Sequence, residues 1–306
     1  MPKLTKPMPR LPSGIAFSDP GDGGTLKMCM GLGCATANMQ EDGSAFEAWA
    51  LCARAAGYGQ VELSVDKPPP GGMGDGPKKL HYNRFLYRAL RFKEGFAWFA
   101  LSPDLGERAK GFESKVLSGD DLFVNAPDCE ASRVGHTPEA KKERELIRPR
   151  PLDVLLGTTA LPSYHSQLPV GLFSKAVKDE TAIFPGDRAA IDIWGISGDT
   201  FHLVELKVGR GPKLGVLSEV FFYACFVRDM FCRFHLERKV PADQVEKNWR
   251  GYGELVRANI KSVAAHILTE TKHRQLDAAF AELKLCALDG IRFESARTLS
   301  ELEKRM

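Results

Sequence analysis

Apolar and polar residues alternate most regularly in two runs between residues 189 and 208, AAIDIWGIS and TFHLVELKV. An alternation with a period of two predicts that each run is a β-strand with one buried face. Gly198 and Asp199 separate the runs, and this dipeptide predicts a tight hairpin turn of the primed type. Counting outward from the turn predicts three opposed pairs, which are Ser197 with Thr200, Trp194 with Leu203, and Asp192 with Glu205.

Similar patterns predict the other elements of the chain. Helices are expected over residues 45–56, 82–92, 214–230 and about 252–283, the first of them capped by Ser44. Strands are expected over residues 60–65, 96–101, 122–125, 181–184, 188–196, 201–208, 232–235 and 290–294. Residues 1–42 predict irregular structure, residues 68–77 a flexible loop, and residues 152–175 a helix or irregular structure.

The charged run EAKKERELIRPRP, residues 139–151, is the predicted boundary between two regions. Its Pro-x-Pro end indicates a linker or a helix terminus. Residues 1–140 are predicted to form an N-terminal accessory region of mixed α/β structure, and residues 141–306 a core domain. The basic residues of the run could bind nucleic acid, or they could form a salt-bridged helix with the glutamates between them. These basic residues are Lys141, Lys142, Arg144, Arg148 and Arg150.

Composition limits the classes of protein to consider. The chain has 306 residues, 43% of them hydrophobic and 26% charged, and it has no apolar run long enough to span a bilayer. The N-terminus lacks the apolar segment of a secretory signal, and the seven cysteines are scattered without CxxC spacing. We therefore expect a cytoplasmic protein with reduced thiols, no membrane partner and no zinc site. A net charge of +3 neither requires nor excludes a nucleic-acid partner.

Three charged residues converge on one face of the predicted hairpin. Asp192 and Glu205 are directly opposed, and Lys207 lies on the same face as Glu205 because side chains alternate along a strand. Opposed like charges destabilise a sheet unless one of them takes a proton or a cation lies between them. Lys207 supplies one positive charge, and two converging carboxylates also suit a hard divalent cation. The alternative is a solvated surface hairpin, but the apolar residues on both sides of Asp192 favour a buried site.

The residues Asp192 in AIDIW and Glu205-Leu206-Lys207 in VELKV resemble the motif of the PD-(D/E)xK nuclease superfamily. Members place the aspartate and the Glu-x-Lys group on two core strands that form a hairpin. The resemblance implies an α/β fold with a mixed sheet and a restriction-endonuclease-like core, in the order helix, three-stranded meander, helix, strand. Glu219 and Tyr223 on the following helix match positions that many members use. The proline that names the motif is absent beside Asp192, and Gln167 stands where members often have an acidic residue on the first helix.

The resemblance implies a metal-dependent phosphodiesterase that hydrolyses nucleic acid, with DNA as the first expectation and RNA left open. Mg²⁺ or Mn²⁺ would be held by Asp192, Glu205 and the backbone carbonyl of Leu206, while Lys207 would act on the attacking water or the phosphate. Further expected residues are Glu219, Tyr223 and Gln167 around the metal ligands, and Arg210 and Lys213 as phosphate contacts.

Two other functions remain open. The same fold could serve as a non-catalytic module that binds nucleic acid or protein, or as the partner-activated subunit of a defence or repair complex. A second copy of the chain or another protein is then an expected partner.

Overall fold

A four-stranded sheet and a five-stranded sheet, with a two-stranded sheet beside them, form the framework of the described residues. Together with the helices they confirm the predicted α/β class with mixed sheets. The computed structural model describes residues 12–19, 24–68, 73, 76–117, 122–125, 137–147, 152–153, 164–185, 189–209, 213–233, 246 and 249–305.

The four-stranded sheet lies in the N-terminal half. Its strands run in the order β1 (Ile15–Ser18), β2 (Leu26–Met30), β3 (Val61–Val65) and β4 (Phe99–Leu101). The first pair is antiparallel and the others are parallel. The prediction of irregular structure over residues 1–42 is wrong for the described part, because two short alternating runs, β1 and β2, pair with each other.

Five helices accompany this sheet and the segment that follows it. They are α1 (Leu32–Ala35), α2 (Phe46–Ala55), α3 (Pro77–Gly95), α4 (Pro103–Phe112) and α5 (Pro138–Leu146). A π-helical turn, Glu113–Leu117, follows α4, and strand β5 (Leu122–Val124) follows that turn. The predicted cap of α2 is wrong, because the Ser44 hydroxyl donates to the Cys34 carbonyl and α2 has no side-chain cap.

The five-stranded sheet holds the predicted hairpin. Its strands are β6 (Tyr164–Pro169), β8 (Ala190–Ser197), β9 (Thr200–Lys207), β10 (Ser262–Thr269) and β11 (Ile291–Thr298), in the order β11-β10-β9-β8-β6. Strand β7 (Leu172–Ser174) pairs with β5 outside this sheet. Strand β8 runs antiparallel to both of its neighbours, β6 and β9, whereas β10 runs parallel to β9 and to β11.

The predicted register of the hairpin is confirmed where the backbones pair. Ser197 is opposite Thr200 and Trp194 is opposite Leu203. Gly198 has a φ of +61°, a value that the first central residue of a type II′ turn requires. The turn therefore fixes which side chains share a face.

Four helices complete the C-terminal half. They are α6 (Gly215–Val227), α7 (Tyr252–Arg257), α8 (Leu276–Leu283) and α9 (Leu299–Glu303). The predicted long helix over residues 252–283 is wrong, because β10 lies in its middle. Strand β10 is buried on both faces and its sequence is almost continuously apolar, so it lacks the alternation that identifies a strand.

Three further predictions for this half are corrected. The strand expected over residues 181–184 is not formed, because Asp179–Thr181 is a 3₁₀ turn. The segment 152–175, expected to be helical or irregular, contains β6, the first strand of the meander. The strand expected over residues 232–235 begins inside a π-helical turn, Arg228–Arg233, and its remainder lies outside the described residues.

Both halves contribute to one continuous hydrophobic core. Aromatic rings link α2 to the second sheet: Phe46 contacts Phe92, Phe92 contacts Phe221, and Phe221 stacks on Phe293, with centroids 5.2–6.2 Å apart. A smaller cluster covers the other face of the second sheet and joins Val204 to side chains of α5 and α9. The division at residue 140 remains a prediction about the chain.

Two further observations concern the helices and the cysteines. Among the described residues, no helix combines the length and apolar character that crossing a membrane requires. The six cysteines in the same part of the chain are free thiols.

The close approach of the N-terminal half to α6 depends on a glycine. A Cβ at position 215 would lie 2.5 Å from the carbonyl oxygen of Gln40. We expect Gly215→Ala to lower the free energy of unfolding by about 1–3 kcal/mol in urea denaturation, because the backbones must separate. Gly106→Ala, in the interior of α4 with open space around it, should be neutral or stabilising by up to about 1 kcal/mol. Equal stability of the two variants would contradict this reading of the contact.

Candidate active site

Asp192, Glu205 and Lys207 occupy the face of the second sheet that α6 covers. Trp194 and Leu203 lie on the same face of the hairpin as these three residues and belong to the larger core. Val204 lies on the opposite face and belongs to the smaller cluster. The backbone pairing of β8 with β9 ends at Ile193–Val204. One residue beyond, an oxygen of Asp192 accepts a hydrogen bond of 2.9 Å from the backbone N–H of Leu206 and so holds Asp192 against the next strand.

The Lys207 ammonium lies between carboxylates from three elements. Its nitrogen is 2.6 Å from Glu205 on β9, 3.2 Å from Glu219 on α6 and 4.0 Å from Glu139 on α5. Glu205 and Glu219 are both 1% exposed. The sequence therefore predicted correctly that Asp192, Glu205, Lys207 and Glu219 belong to one region.

Helix α6 explains why these acids are buried. All of its residues from Gly215 to Val227 are buried, because helices of the N-terminal half cover the side that would otherwise face water. Glu219 therefore has no access to bulk solvent and depends on two donors, the Lys207 ammonium and the side-chain amide of Gln40. A buried carboxylate without such donors is strongly unfavourable.

Burial also changes the proton affinities of the cluster. It raises the pKa of Asp192 from 3.8 to about 7, against the opposing effects of Lys207 and the Leu206 N–H. Burial raises the pKa of Glu205 well above its ordinary value, and Asp192 and Glu219 raise it further. Burial alone would lower the pKa of Lys207, but the carboxylates, Glu205 first, more than offset this and raise it. Asp192 and Glu205 thus keep their protons to a higher pH than ordinary carboxyl groups do, unless a further cation neutralises their charge.

The oxygen atoms of the cluster fit a hard divalent cation. In the part of the chain that the structure describes, one oxygen of Glu205 and one of Glu139 are buried without a hydrogen-bond partner. Oxygen ligands suit Mg²⁺ and Mn²⁺, and Mg²⁺ needs only one or two carboxylates because it keeps several waters. As the side chains stand, no three carboxylate, imidazole or thiol groups of the described residues converge as a metal site. Asp192 and Glu205 would hold the cation, and the Leu206 carbonyl remains a predicted ligand.

The cluster is open to solvent on one side. Lys207 is 25% exposed and Glu139 is 39% exposed, in contrast to the fully buried glutamates behind them. A groove of about 380 Å³ is lined by the residues next in sequence to these two, Pro138 and Val208, and by Lys141, Lys142 and Glu270 among others.

Two of the other expected residues lie close to the cluster without joining it. Tyr223 is buried against Phe222, and its pKa is raised by burial first and then by Glu205 and Glu219. Gln167 has a left-handed backbone with a φ of +57°, and its amide donates to Glu143 of α5 at 2.9 Å. Gln167 therefore supports the helix beside the site.

The two expected phosphate contacts have different outcomes. Lys213 forms an ion pair of 2.8 Å with Glu41 and is 53% exposed. Arg210 lies outside the described residues. In the neighbouring basic run, Lys142 pairs with Glu145 and Glu303, which favours the salt-bridged helix for that residue.

Sequence reasoning missed two residues of the cluster, Glu139 and Gln40. A signal for Glu139 was available: Thr137 and Pro138 are typical of a helix start, and the Thr137 hydroxyl accepts from the Ala140 N–H. Gln40 had no such signal, because it lies 179 residues from its partner in a segment with no clear periodicity.

Comparison with known protein families, with characterised proteins and with solved structures gave no match, so the interpretation depends on the geometry of the site itself.

The raised pKa of Asp192 predicts how stability depends on pH in metal-free protein. An acid whose pKa is higher in the folded state binds its proton more tightly there, so its contribution to stability is complete below pH 4 and is lost as the pH rises to about 7. Asp192→Asn keeps an acceptor for the Leu206 N–H and removes the charge. We expect it to exceed wild type in unfolding free energy by roughly 1–3 kcal/mol at pH 7.5, and to match it near pH 4.

Urea denaturation with a chelator present, at several pH values, measures this difference. The control is Asp199→Asn in the exposed hairpin turn, which should stay within about 0.5 kcal/mol of wild type throughout. A difference in unfolding free energy between Asp192→Asn and wild type that does not vary with pH would refute the raised pKa of Asp192.

Proposed function

We propose that the protein is a metal-dependent nuclease that hydrolyses phosphodiester bonds of nucleic acid, with DNA as the first substrate to test. The observation that carries the proposal is the Lys207 ammonium held between Glu205 and Glu219 while a buried oxygen of Glu205 has no hydrogen-bond partner among the described residues. An ion-pair network with only a structural role would be expected to satisfy all of its buried oxygens. Strongly shifted pKa values in an accessible cluster are typical of functional sites.

The order of elements supports the proposal. The antiparallel strands β6, β8 and β9 are followed by α6 and then by the parallel strand β10, which is the order that the resemblance implies. Helix α5 precedes the meander and brings Glu139 to the cluster, which agrees with the acid that members of the superfamily often have on the first helix.

The chain's own residues would act in distinct ways. Asp192 and Glu205 would hold Mg²⁺ or Mn²⁺, which when bound supplies an activated water and charge neutralisation at the phosphate. Lys207 keeps its proton, because its pKa is raised by the carboxylates, and so it is suited to contact a phosphate oxygen or orient the attacking water. Glu219, buried on α6, holds the Lys207 ammonium in place through its ion pair.

One observation favours a non-catalytic alternative. Lys207 already neutralises part of the charge on Glu205 and Glu219, and a closed ion pair of this kind can be purely structural. In that case the same face would bind nucleic acid or a protein partner without cleaving it, or would become active only within a larger assembly.

A single assay separates these functions. Supercoiled plasmid, linear duplex DNA, single-stranded DNA and RNA are each incubated with Mg²⁺, with Mn²⁺ and with EDTA. Metal-dependent cleavage that Asp192→Asn abolishes supports the nuclease. Binding of nucleic acid without cleavage under every condition supports the non-catalytic module.

Metal binding can be tested without any substrate. Calorimetric titration with Mn²⁺ should show a site in wild type that Asp192→Asn loses, because the variant has one carboxylate fewer for the cation. Asp199→Asn, in the exposed turn, should bind Mn²⁺ as wild type does. Equal affinity of Asp192→Asn and wild type would remove Asp192 from the ligand set.

The lysine has its own test. On a substrate that wild type cleaves, Lys207→Ala should be about 10²–10³ times slower than wild type, because the substitution removes a preorganised charge from the transition state. Binding of nucleic acid should change little, since that affinity is spread over many backbone contacts. The matched control is Lys261→Ala, a surface lysine that pairs with Asp199 near the hairpin turn and should cleave normally. Cleavage by Lys207→Ala at the wild-type rate would exclude a catalytic role.

A further inference from the structure

The segment before α2 lies across the start of α6. Met39 is buried in the common core and anchors the segment. The carbonyl of Gln40 lies so close to Gly215 that no side chain fits between them, and Glu41 forms its ion pair with Lys213 just before α6. The backbone around Gln40 is therefore held against the start of α6, about one helical turn before Glu219.

Gln40 is itself exposed, yet its side chain reaches a buried acid. Its amide nitrogen donates to one oxygen of Glu219. Asn38 fixes the direction of that amide: the Asn38 side-chain nitrogen donates to the Gln40 side-chain oxygen at 3.3 Å, and the Gln40 backbone N–H donates back to Asn38. Because the oxygen of the Gln40 amide is occupied by a donor, its nitrogen is the end that faces Glu219.

The two oxygens of Glu219 share Lys207, and one of them has Gln40 as a second donor. One is 3.2 Å from the Lys207 nitrogen, and the other accepts from Gln40 and is 3.5 Å from Lys207. Lys207 makes its shortest contact with Glu205, at 2.6 Å. Without the Gln40 amide, the second oxygen of Glu219 would be buried with Lys207 as its nearest donor, and it would draw the ammonium away from Glu205.

We propose that Gln40 is a positioning residue of the active site, which holds Glu219 so that Lys207 stays on Glu205. Its kinetic consequence rests on the proposed nuclease function, whereas its effect on Lys207 does not. The N-terminal region then supplies part of the active site and is more than an accessory to it.

The test compares Gln40→Met with wild type. Methionine keeps the length of the side chain and removes the amide. Thr36→Val is the matched control, because it removes hydroxyl bonds to the Leu32 and Gly33 carbonyls in the same segment without touching Glu219. The first readout is the NMR signal of the Lys207 ammonium in full-length protein, which is assigned by its loss in Lys207→Arg.

The second readout is cleavage at saturating and subsaturating substrate with Mg²⁺. We expect Gln40→Met to lower kcat about tenfold while KM stays within a factor of two of wild type. The reason is that the contact changed by the substitution, between Lys207 and Glu205, acts on the reacting groups. That fall corresponds to about 1.4 kcal/mol. In a Glu219→Gln background, Gln40→Met should have little further effect, because both changes act through one residue.

The outcomes are distinct. A displaced Lys207 signal in Gln40→Met and an unchanged one in Thr36→Val support the proposal. If wild type cleaves nothing while the signal still moves, the nuclease function fails and the positioning role stands. An unchanged Lys207 signal in Gln40→Met, or full additivity of Gln40→Met with Glu219→Gln, would overturn the positioning role.

Discussion

The candidate site depends on one half-buried ammonium, that of Lys207, and on the carboxylates that surround it. Removing ions from water costs several kcal/mol each, and the attraction within a buried pair offsets that cost only when the geometry is good and the remaining atoms have partners. Here Glu205 and Glu219 approach Lys207 from two different elements, and Leu206 holds Asp192 through its backbone. The cluster therefore fixes the position of α6 relative to β9 at the point where the chemistry would occur.

The burial that makes the cluster unusual comes from the rest of the chain. The Phe46, Phe92 and Phe221 rings connect the N-terminal helices to α6, so that a helix with almost no polar face is covered completely. A second buried network crosses the same interface: Asp229, in the π-helical turn after α6, accepts hydrogen bonds from Tyr87 and Arg91 of α3. Because these contacts hold the middle of α6 and the turn that follows it, Glu219 stays buried and must be satisfied where it is.

Local signals explain what the sequence could predict. The hairpin was predictable because a turn and two alternating runs determine its register over a few residues, and that register places Asp192, Glu205 and Lys207 on one face. Strand β10 was not predictable in the same way, since burial on both faces removes the alternation. Glu139 could have been found from its helix start, but nothing near Gln40 indicates a partner in α6. Contacts that depend on how distant segments meet leave no periodic trace in either segment.

Charge accounting links the cluster to the proposed activity. If Asp192, Glu205, Glu219 and Glu139 were all ionised around Lys207, the group would carry a formal charge of −3. Burial makes that charge unfavourable. The raised pKa values of Asp192 and Glu205 mean that these two positions take up protons more readily than ordinary carboxyl groups do. If a divalent cation bound there as proposed, it would displace the protons that the two acids hold, so its binding would release protons. The burial that makes ionised carboxylates unfavourable in the metal-free site would thus favour a divalent cation over a monovalent one at the pair of acids that the hairpin turn brings together.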